Sequence, residues 1–383
     1  MRIGLTIEHF DCRRGGVEHW AVQFARQLVG RGHQVDVVAR SVAAADRADG
    51  VAFHLVEAEP SRLAFADAAA QQLASLRLDV VHDTGCGWFA DVFQPHGGSR
   101  VAAFEQNLRL VPRALRPWKR FAAQVLPRYR EFDELLARQY GDHRRLYVAL
   151  SKMVARDLIE HHGVPASRIR TIYNGVDTQR FHPCHRASYR ADTRASWEIG
   201  DEETVFLIIA HNFRLKGVAT AVRSIARLAQ AGLPVRLVVA GGGRSGHYRG
   251  LARRCGAERC VTFLGSVDDP APLYAAADVY VQPTWYDPCS LVVLEALAAG
   301  LPVVTSCFNG AGELITPGQE GDVLDDPAND VAWAECLARY CHTRRREAMG
   351  DAARRLADRH DLERNCDEIL SVYQEQAEVR RAA

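Results

Sequence analysis

Short apolar runs alternate with helix-length segments in two series along this chain, and this alternation restricts the possible folds more than any other feature. Alternating strands and helices are typical of parallel, doubly wound sheets with helices on both faces. We therefore predict an α/β chain with two Rossmann-like domains. The main predicted strands are Arg2–Ile7, Gln34–Ala39 and Asp79–His82 in the first series, and Thr204–Ala210, Val235–Ala240, Cys260–Leu264, Val279–Gln282 and Pro302–Ser306 in the second.

A polar stretch at Phe181–Arg190 interrupts the pattern and is the predicted linker between the two domains. Residues 1–182 would then form the first domain, and residues 183–361 would form the second. The amphipathic segment from Leu362 predicts a C-terminal helix that packs back on the first domain. Because ligands of open parallel sheets bind at the carboxyl ends of the strands, the loops that follow strands should carry the functional residues.

The composition is that of an ordinary globular protein, with 48% apolar and 25% charged residues. A formal net charge of +1 gives no indication of a nucleic-acid partner. The ten cysteines contain no CxxC pair, so we expect reduced thiols rather than a disulfide framework. The chain begins with a strand pattern rather than a signal peptide, and no run approaches the roughly 18 apolar residues of a spanning helix. These features predict a cytoplasmic protein.

The segment Tyr286–Val304 has the clearest functional pattern in the chain. Asp287 lies in a loop after a predicted strand, and Ser290 is the predicted N-cap of the helix that follows. The backbone amides of Ser290, Leu291 and Val292 would face the site at the start of this helix. Free amides at a helix N-terminus bind anions, and a diphosphate fits such a site.

Two carboxylates flank this anion site. Glu295 lies about one turn into a mostly apolar helix, where a charged group is costly to bury without partners. The hydroxyls of a ribose would be suitable partners for Glu295, and those of a sugar attached to the diphosphate would suit Asp287. The alternative is that Glu295 caps or pairs within its own helix.

Asp287 and Glu295 enclose seven residues, and the segment resembles the E-x7-E motif of the retaining glycosyltransferases of family 4, with Asp at the first position. The resemblance implies a GT-B fold, in which two Rossmann-like domains face a central cleft. It also implies that Asp287 contacts the donor sugar and that Glu295 contacts the ribose. Because Asp is one methylene shorter than Glu, either the donor sits closer or the preferred sugar differs. The chain has no D-x-D motif, so we expect no metal, and no cofactor is implied beyond the nucleotide-sugar substrate.

The same resemblance assigns two cations and a histidine to the reaction. Arg214 and Lys216 follow an apolar strand and would neutralise the departing diphosphate, although they could also be two solvated side chains. His96, in the stretch VFQPHGG, matches a histidine that similar enzymes place against the donor sugar, with a purely structural role as the alternative. The predicted catalytic residues are His96, Arg214, Lys216 and Asp287.

Further residues complete the predicted donor-binding set. Gly15 and Gly16 precede the first helix and would let backbone amides approach a phosphate or the acceptor, unless they form a plain turn. Arg244 would add a cation from a glycine turn, and Asn309–Gly321 resembles the family's glycine-containing segment beyond the donor sugar. The full predicted set is Gly15, Gly16, Arg214, Lys216, Arg244, Val267, Asp287, Ser290, Leu291, Val292 and Glu295.

The layout is similar to that of lipopolysaccharide-core glucosyltransferases, which implies transfer of a hexose from a UDP-linked donor to a glycan or lipid-linked acceptor such as a lipopolysaccharide core. Residues 109–130 contain Arg and Lys but no acid, and Trp118, Phe121 and Tyr129 are interleaved among them. Cations mixed with aromatic residues are typical of a segment that lies on an anionic membrane, here the inner leaflet of the plasma membrane. A solvated surface is the alternative, because three prolines break any long helix in this segment.

Other functions remain as alternatives from the sequence. Gly241–Gly246 matches GxGxxG after a strand, which is the pattern of an NAD(P) oxidoreductase. The acid that such a site requires at the end of the next strand is missing, because Cys260–Gly265 ends in Leu-Gly. A nucleotide-sugar epimerase, or a non-catalytic protein that binds sugar nucleotides on the same fold, is the other alternative.

Overall fold

The computed structural model describes residues 1–142 and 144–382, with side chains except at 124, 127–129 and 379–382. The chain forms two compact units, one of Met1–Tyr173 together with the chain from Leu362 onward, and one of Asn174–Asp361. The division therefore falls after Tyr173 and not after residue 182 as predicted. The intervening residues belong to the second unit because Asn174 Nδ2 donates to the Cys289 carbonyl oxygen (2.8 Å) and Arg354 Nη1 donates to that of Phe181 (3.0 Å).

The described residues of the first unit form nine strands, which in chain order are β1 (Arg2–Thr6), β2 (His9–Phe10), β3 (Gln34–Ala39), β4 (Ser41–Val42), β5 (Val51–Leu55), β6 (Val80–Asp83), β7 (Val92–Phe93), β8 (Leu146–Ala149) and β9 (Ile169–Thr171). Seven of them form a parallel sheet with the order β5-β3-β1-β6-β7-β8-β9, and β2 pairs with β4. Its first six helices are α1 (Gly16–Gly30), α2 (Arg62–Ala74), α3 (Arg100–Arg109), α4 (Arg116–Val125), α5 (Pro127–Tyr140) and α6 (Lys152–His162). Ile3 and Leu5 of the central strand are fully buried, as expected for a parallel sheet that is covered on both faces.

The second unit contains six strands, which are β10 (Thr204–Ile209), β11 (Val235–Ala240), β12 (Val261–Gly265), β13 (Val279–Gln282), β14 (Val303–Ser306) and β15 (Gly321–Leu324). They form a parallel sheet with the order β12-β11-β10-β13-β14-β15. Its helices are α7 (His185–Ser196), α8 (Val218–Gln230), α9 (Gly246–Arg254), α10 (Ala271–Ala276), α11 (Leu291–Ala298), α12 (Asp330–Ala338) and α13 (Thr343–Ala357). The two units are thus both Rossmann-like, as the alternating pattern predicted.

Two glycines bring loops of the second unit together at the carboxyl ends of its strands. Gly217 has a φ of +74°, and a Cβ there would lie 1.9 Å from the carbonyl oxygen of Pro283. Gly241 has a φ of +125°, and a Cβ there would lie 1.8 Å from the carbonyl oxygen of Ala210. Only glycine allows these backbones to approach so closely, so the loops after β10, β11 and β13 are held side by side.

The predicted linker at Phe181–Arg190 is wrong, because much of it lies in helix α7 of the second unit. The stretch is polar since arginines spaced four residues apart on α7 reach the same carboxylate. Arg194 Nη1 lies 3.2 Å from Asp278 Oδ2, and Arg190 Nη2 lies 2.8 Å from Asp278 Oδ1. Arginine side chains buried against one acid interrupt the apolar periodicity without ending the domain.

The last helix, α14 (Leu362–Ala382), belongs to the first unit. Trp20 Nε1 on α1 donates to Asn365 Oδ1 (3.1 Å), and the Tyr373 hydroxyl lies 2.5 Å from His82 Nδ1 on β6. These four side chains are buried, so polar contacts as well as packing fix the helix on the sheet. No helix among the described residues is long and apolar enough to cross a membrane.

Candidate active site

Loops that follow five neighbouring strands of the second unit, together with helix α11, carry the candidate residues of this unit. Because every ladder in this sheet is parallel, the carboxyl ends of its strands lie along one edge. The candidates along that edge are Val267 after β12, Arg244 after β11, Arg214 and Lys216 after β10, Asp287 after β13 and Asn309 after β14. The structure therefore gathers one side of a site from segments that are far apart in sequence.

Lys216 and Asp287 form a close ion pair between the loops after β10 and β13. The side chains are 21% and 10% exposed, so the pair is largely removed from water. Lys216 is held by a tight turn, in which its amide donates to the Asn212 carbonyl oxygen (2.9 Å) and the Leu215 amide donates to Asn212 Oδ1 (3.1 Å). Arg214, in the same turn, is exposed. Two of the predicted catalytic residues are thus brought into direct contact.

The backbone fixes the position of Asp287. Its amide donates to the Phe308 carbonyl oxygen (2.9 Å), and its carbonyl oxygen accepts from the Gly310 amide (2.8 Å). The next loop along the sheet therefore clamps the residue from both sides. This arrangement fixes the main chain of Asp287 independently of the ion pair.

Asn309 lies at the candidate site, and its contacts there were not predicted from the sequence. Its side chain is 1% exposed and makes four hydrogen bonds. Oδ1 accepts from the amides of Ser290 (3.3 Å) and Ala311 (3.1 Å), while Nδ2 donates to Gln282 Oε1 and Thr305 Oγ1 (3.0 Å each). The signal in the sequence was an Asn-Gly pair in the loop after a strand, which is typical of a side chain that bonds to its own loop.

Ser290 occupies the N-cap position of helix α11 as predicted, but without a side-chain cap. Its side chain makes no capping hydrogen bond, and its amide is already donated to Asn309. The helix begins at Leu291, so the amides of Leu291 and Val292 lie in the first turn, where an α-helix offers no acceptor of its own. Two of the three amides of the predicted anion site thus remain at the helix N-terminus, and the third is bonded to the side chain of Asn309.

Glu295 bonds to a neighbouring helix rather than within its own. The Tyr274 hydroxyl on α10 donates to Glu295 Oε2 at 2.7 Å. Burial raises the pKa of the Glu295 carboxyl to about 7, although the Tyr274 hydrogen bond and the charge of Arg180 act in the opposite direction. A carboxylate with so high a pKa on an apolar helix is unfavourable for stability alone, which is typical of a functional position.

Arg244 and Val267 occupy the outer part of the same edge. Both side chains are exposed, with Val267 at 40%, and no described contact joins either of them to the Lys216–Asp287 pair. Strand β12 ends at Gly265 and not at an acidic residue. The described strand end therefore lacks the carboxylate that binds the ribose in dinucleotide-binding folds.

The first unit holds the remaining candidates. His96 follows β7, and its ring packs on Trp20 with centroids 4.3 Å apart. Its Nε2 is buried and has no hydrogen-bond partner among the described residues. Burial, together with the nearby His82, lowers the pKa of His96 to about 3, so the ring is neutral at physiological pH. A buried nitrogen without a partner is uncommon and marks a place where a ligand or water could bind.

Gly15 and Gly16 lie at the start of α1, but the backbone of Gly15 is extended (φ −177°), which any residue can adopt. The Glu18 carboxylate lies close by, 2.8 Å from where a Gly15 Cβ would stand. This carboxylate disfavours a second anion at the N-terminus of α1. The geometry therefore gives less support to a phosphate contact here than at α11.

Two family models match the chain. Residues 14–180 match the model described as Glycosyltransferase Family 4, and residues 203–343 match the model described as Glycosyl transferases group 1. The second match contains every candidate residue of the second unit, and the first contains His96. These matches favour a transferase over the oxidoreductase and epimerase alternatives.

Named relatives agree with these matches. An uncharacterized glycosyltransferase of Methanocaldococcus jannaschii is 27% identical over 230 residues, which are 59% of this chain and 59% of that protein. The chain thus spans less than two thirds of that relative. The GDP-mannose-dependent alpha-(1-6)-phosphatidylinositol monomannoside mannosyltransferase of Mycobacterium tuberculosis is 29% identical over 377 residues, with 92% of each chain covered.

Solved structures show the same fold. The crystal structure of WaaG, a glycosyltransferase involved in lipopolysaccharide biosynthesis, matches with a TM-score of 0.81 and 21% identity, covering 97% of this chain and 99% of WaaG. HepE of Anabaena, in complex with UDP and glucose, matches with a TM-score of 0.73 and 18% identity, covering 98% and 99%. At these identities the likeness concerns the fold alone.

Proposed function

Because the chain belongs to family 4 of the glycosyltransferases and has their GT-B fold, we propose that it transfers a hexose with retention from a nucleotide-diphosphate sugar, UDP-linked, to a glycan or lipid-linked glycan. The observation that carries this proposal is the edge of the second unit, where Lys216, Asp287 and Glu295 surround the N-terminus of α11. The cation and the helix amides suit the diphosphate of a nucleotide sugar. The Glu295 carboxylate suits its ribose, and the Asp287 carboxylate suits its sugar. The second unit is accordingly the proposed donor domain, and the first is the proposed acceptor domain.

The proposed donor contacts follow from charge. The diphosphate would accept hydrogen bonds from the amides of Leu291 and Val292 and would be neutralised by Lys216 and Arg214. Lys216 would then exchange its bond to Asp287 for one to the diphosphate. Asp287 would be released to accept hydrogen bonds from the hydroxyls of the donor sugar.

The reaction we propose is a front-face displacement. The acceptor oxygen bonds to the anomeric carbon on the face from which the diphosphate departs, and its proton passes to a phosphate oxygen of the leaving group. The products are a glycoside of unchanged configuration and a nucleoside diphosphate. In this scheme Lys216, Arg214 and the helix amides lower the barrier by stabilising the charge that develops on the leaving group. His96 is the proposed catalytic contribution of the first unit, as a neutral ring whose Nε2 has no hydrogen-bond partner among the described residues.

The donor base and the acceptor are drawn from the relatives. HepE binds UDP and glucose, whereas the mycobacterial relative is named for GDP-mannose and a phosphatidylinositol glycolipid, and WaaG is named for lipopolysaccharide biosynthesis. Two of these three proteins are thus named for membrane glycolipids. A lipid-linked glycan such as a lipopolysaccharide core is therefore our proposed acceptor.

The surface of the first unit supports a membrane-bound acceptor. Helix α4 exposes Trp118 (73%), Phe121 (57%) and Val125 (45%), which lie on one face of the helix. Large apolar side chains side by side in water are unusual and mark a binding surface. Arg116, Lys119 and Arg120 lie on the other sides of the helix, but Arg120 is paired with Glu105 (2.7 Å). The side chain of Tyr129, which the sequence analysis included, lies outside the described residues.

We propose that α4 lies on the inner leaflet of the plasma membrane with this apolar face in the headgroup region. Flotation with vesicles that contain phosphatidylglycerol tests this, with neutral phosphatidylcholine vesicles as the control. The double variant Trp118→Ser/Phe121→Ser should lose most of the binding. Equal flotation of the wild type and the double variant would contradict the proposal.

The donor site is tested by turnover. Lys216→Ala and Glu295→Ala should each lower turnover by at least about tenfold, because each removes a contact to the departing or bound nucleotide. Glu335→Ala, which removes an exposed carboxylate on α12 of the same unit, is the matched control and should leave turnover unchanged. Full activity in both site variants would remove the donor assignment.

A further inference from the structure

A buried tyrosine fixes the orientation of the Glu295 carboxylate. Tyr274 on α10 is 1% exposed, and its hydroxyl lies 2.7 Å from Glu295 Oε2 and 3.2 Å from the carbonyl oxygen of Val292. The hydroxyl has one hydrogen, and the shorter distance indicates that it is donated to the carboxylate. The donor and the acceptor are thus on different helices, and the bond ties α10 to α11.

The ring of Tyr274 has little freedom to move. It packs edge-on against Phe181, with centroids 5.5 Å apart, and lies 6.1 Å from the ring of Tyr280. Both neighbours are buried, so the hydroxyl is held at one point relative to the helix. A carboxylate that bonds to a fixed donor through one oxygen presents its other oxygen in a fixed direction.

We propose that Tyr274 is a positioning residue for donor recognition. Its hydroxyl holds Glu295 Oε2, so that the remaining lone pairs of the carboxylate accept hydrogen bonds from the adjacent hydroxyls of the donor's ribose. This inference rests on the proposed function, because it requires that Glu295 bind the nucleotide. Tyr274 lies outside Tyr286–Val304, the segment that resembles the family 4 motif. The ribose that it would help to bind is common to UDP-linked and GDP-linked sugars. The effect should therefore not depend on the base.

The hydrogen bond has a second consequence, for the charge of Glu295. A donor to a carboxylate favours its ionised form, and a buried carboxyl without that donor takes up a proton more readily. The other groups that act on or near Glu295 are Arg180, which lies 3.1 Å from Asp269, and the Tyr280 hydroxyl, which interacts with the backbone of Ile209. Of these groups, Tyr274 is the one with a direct hydrogen bond to the carboxylate.

A tyrosine that only fills space would behave differently. Tyr280 provides the matched control because it lies in the same cluster, is fully buried and bonds to backbone atoms of β10 instead of Glu295. Tyr274→Phe and Tyr280→Phe each remove one buried hydroxyl and retain the ring. Loss of stability should therefore be similar in both, whereas loss of donor binding should be confined to Tyr274→Phe.

The experiment measures the KM of the donor between pH 5.5 and 9 for the wild type, Tyr274→Phe, Tyr280→Phe and Glu295→Gln, with UDP-glucose and GDP-mannose in parallel. Tyr274→Phe should raise KM about tenfold at pH 7 with little change in kcat, since a hydrogen bond to a charged group is lost. The pH at which KM begins to rise on acidification should shift upward in this variant. Tyr280→Phe should match the wild type, and Glu295→Gln should have a raised KM that no longer varies over this pH range.

An unchanged KM and pH profile in Tyr274→Phe, with a raised KM in Glu295→Gln, would overturn the positioning role while leaving the donor site intact. An unchanged KM in Glu295→Gln would instead overturn the donor assignment and the inference with it. If Tyr274→Phe does not fold, Tyr274→Met, which also lacks the hydroxyl but fills the space differently, should show the same raised KM. A wild-type KM in that variant would contradict the proposal.

Discussion

Replacing Asn309 by alanine should destabilise the second unit more than its size suggests. The side chain is 1% exposed and makes four hydrogen bonds, to two backbone amides and to the side chains of Gln282 and Thr305. Each such bond contributes about 0.5–1.5 kcal/mol net, so the four together contribute about 2–6 kcal/mol. Because the four orphaned partners are buried, water can restore few of these bonds, and we expect a loss of about 3–4 kcal/mol.

Asn329→Ala is the matched control for this prediction. Asn329 is exposed, and its Oδ1 accepts one capping hydrogen bond from the Ala332 amide (3.1 Å) at the start of α12. Its loss should cost about 1 kcal/mol. Urea denaturation of both variants, followed by circular dichroism, compares their free energies of unfolding. Equal losses for Asn309→Ala and Asn329→Ala would refute the reasoning, because the buried network would then contribute no more than one exposed cap.

Three further predictions concern the same unit. Gly217→Ala should cost at least about 2 kcal/mol in urea denaturation, because its Cβ would meet Pro283, whereas Gly232→Ala, at a similar φ of +81° with open space, should cost about 1 kcal/mol. The pKa of Glu295 is raised from 4.5 to about 7, so the native protein binds more protons than the unfolded chain between these values. The wild type should therefore lose about 3 kcal/mol of stability from pH 4.5 to 8 relative to Glu295→Gln, as followed by urea denaturation. Arg194→Ala should lower the free energy of unfolding in urea by about 3–5 kcal/mol, because Arg194 is 2% exposed and its loss leaves the buried Asp278 carboxylate poorly compensated. The loss should be clearly smaller for Arg190→Ala, since Arg190 is partly exposed, and equal losses would contradict this.

The sequence was sufficient to predict three strands of the first sheet and all but one strand of the second, because parallel strands that are covered on both faces are apolar throughout. Strands β5, β7, β8, β9 and β15 were not predicted. Gln34–Ala39, Val235–Ala240 and Val279–Gln282 are strands with the predicted bounds, and the other predicted strands differ by one residue at one or both ends. The location of the site at the carboxyl ends of the strands follows from the same topology, since the candidates after β10, β11 and β13 must share one edge. Fold class and site location are therefore consequences of local pattern and general topology.

The contacts within the site were not predictable in the same way. Ser290 is at the predicted N-cap position, but its side chain makes no capping hydrogen bond, and its amide donates to the side chain of Asn309, nineteen residues later. Tyr274 looks like any apolar core residue in the sequence, and its bond to Glu295 depends on how α10 packs beside α11. The linker was misplaced because Arg190 and Arg194 pair with Asp278, which is distant in the chain. Long-range side-chain pairing leaves no periodic signal in a single sequence.

Release of nucleoside diphosphate from a panel of nucleotide sugars, without added acceptor or metal, tests the central claim most directly. Many transferases hydrolyse their donor slowly in the absence of an acceptor, so one donor of the panel should release its diphosphate at a rate that Glu295→Ala lowers by at least about tenfold. We expect that donor to be UDP-linked. Release from none of the donors, together with no thermal stabilisation by UDP or GDP, would contradict the assignment of the second unit as a donor site.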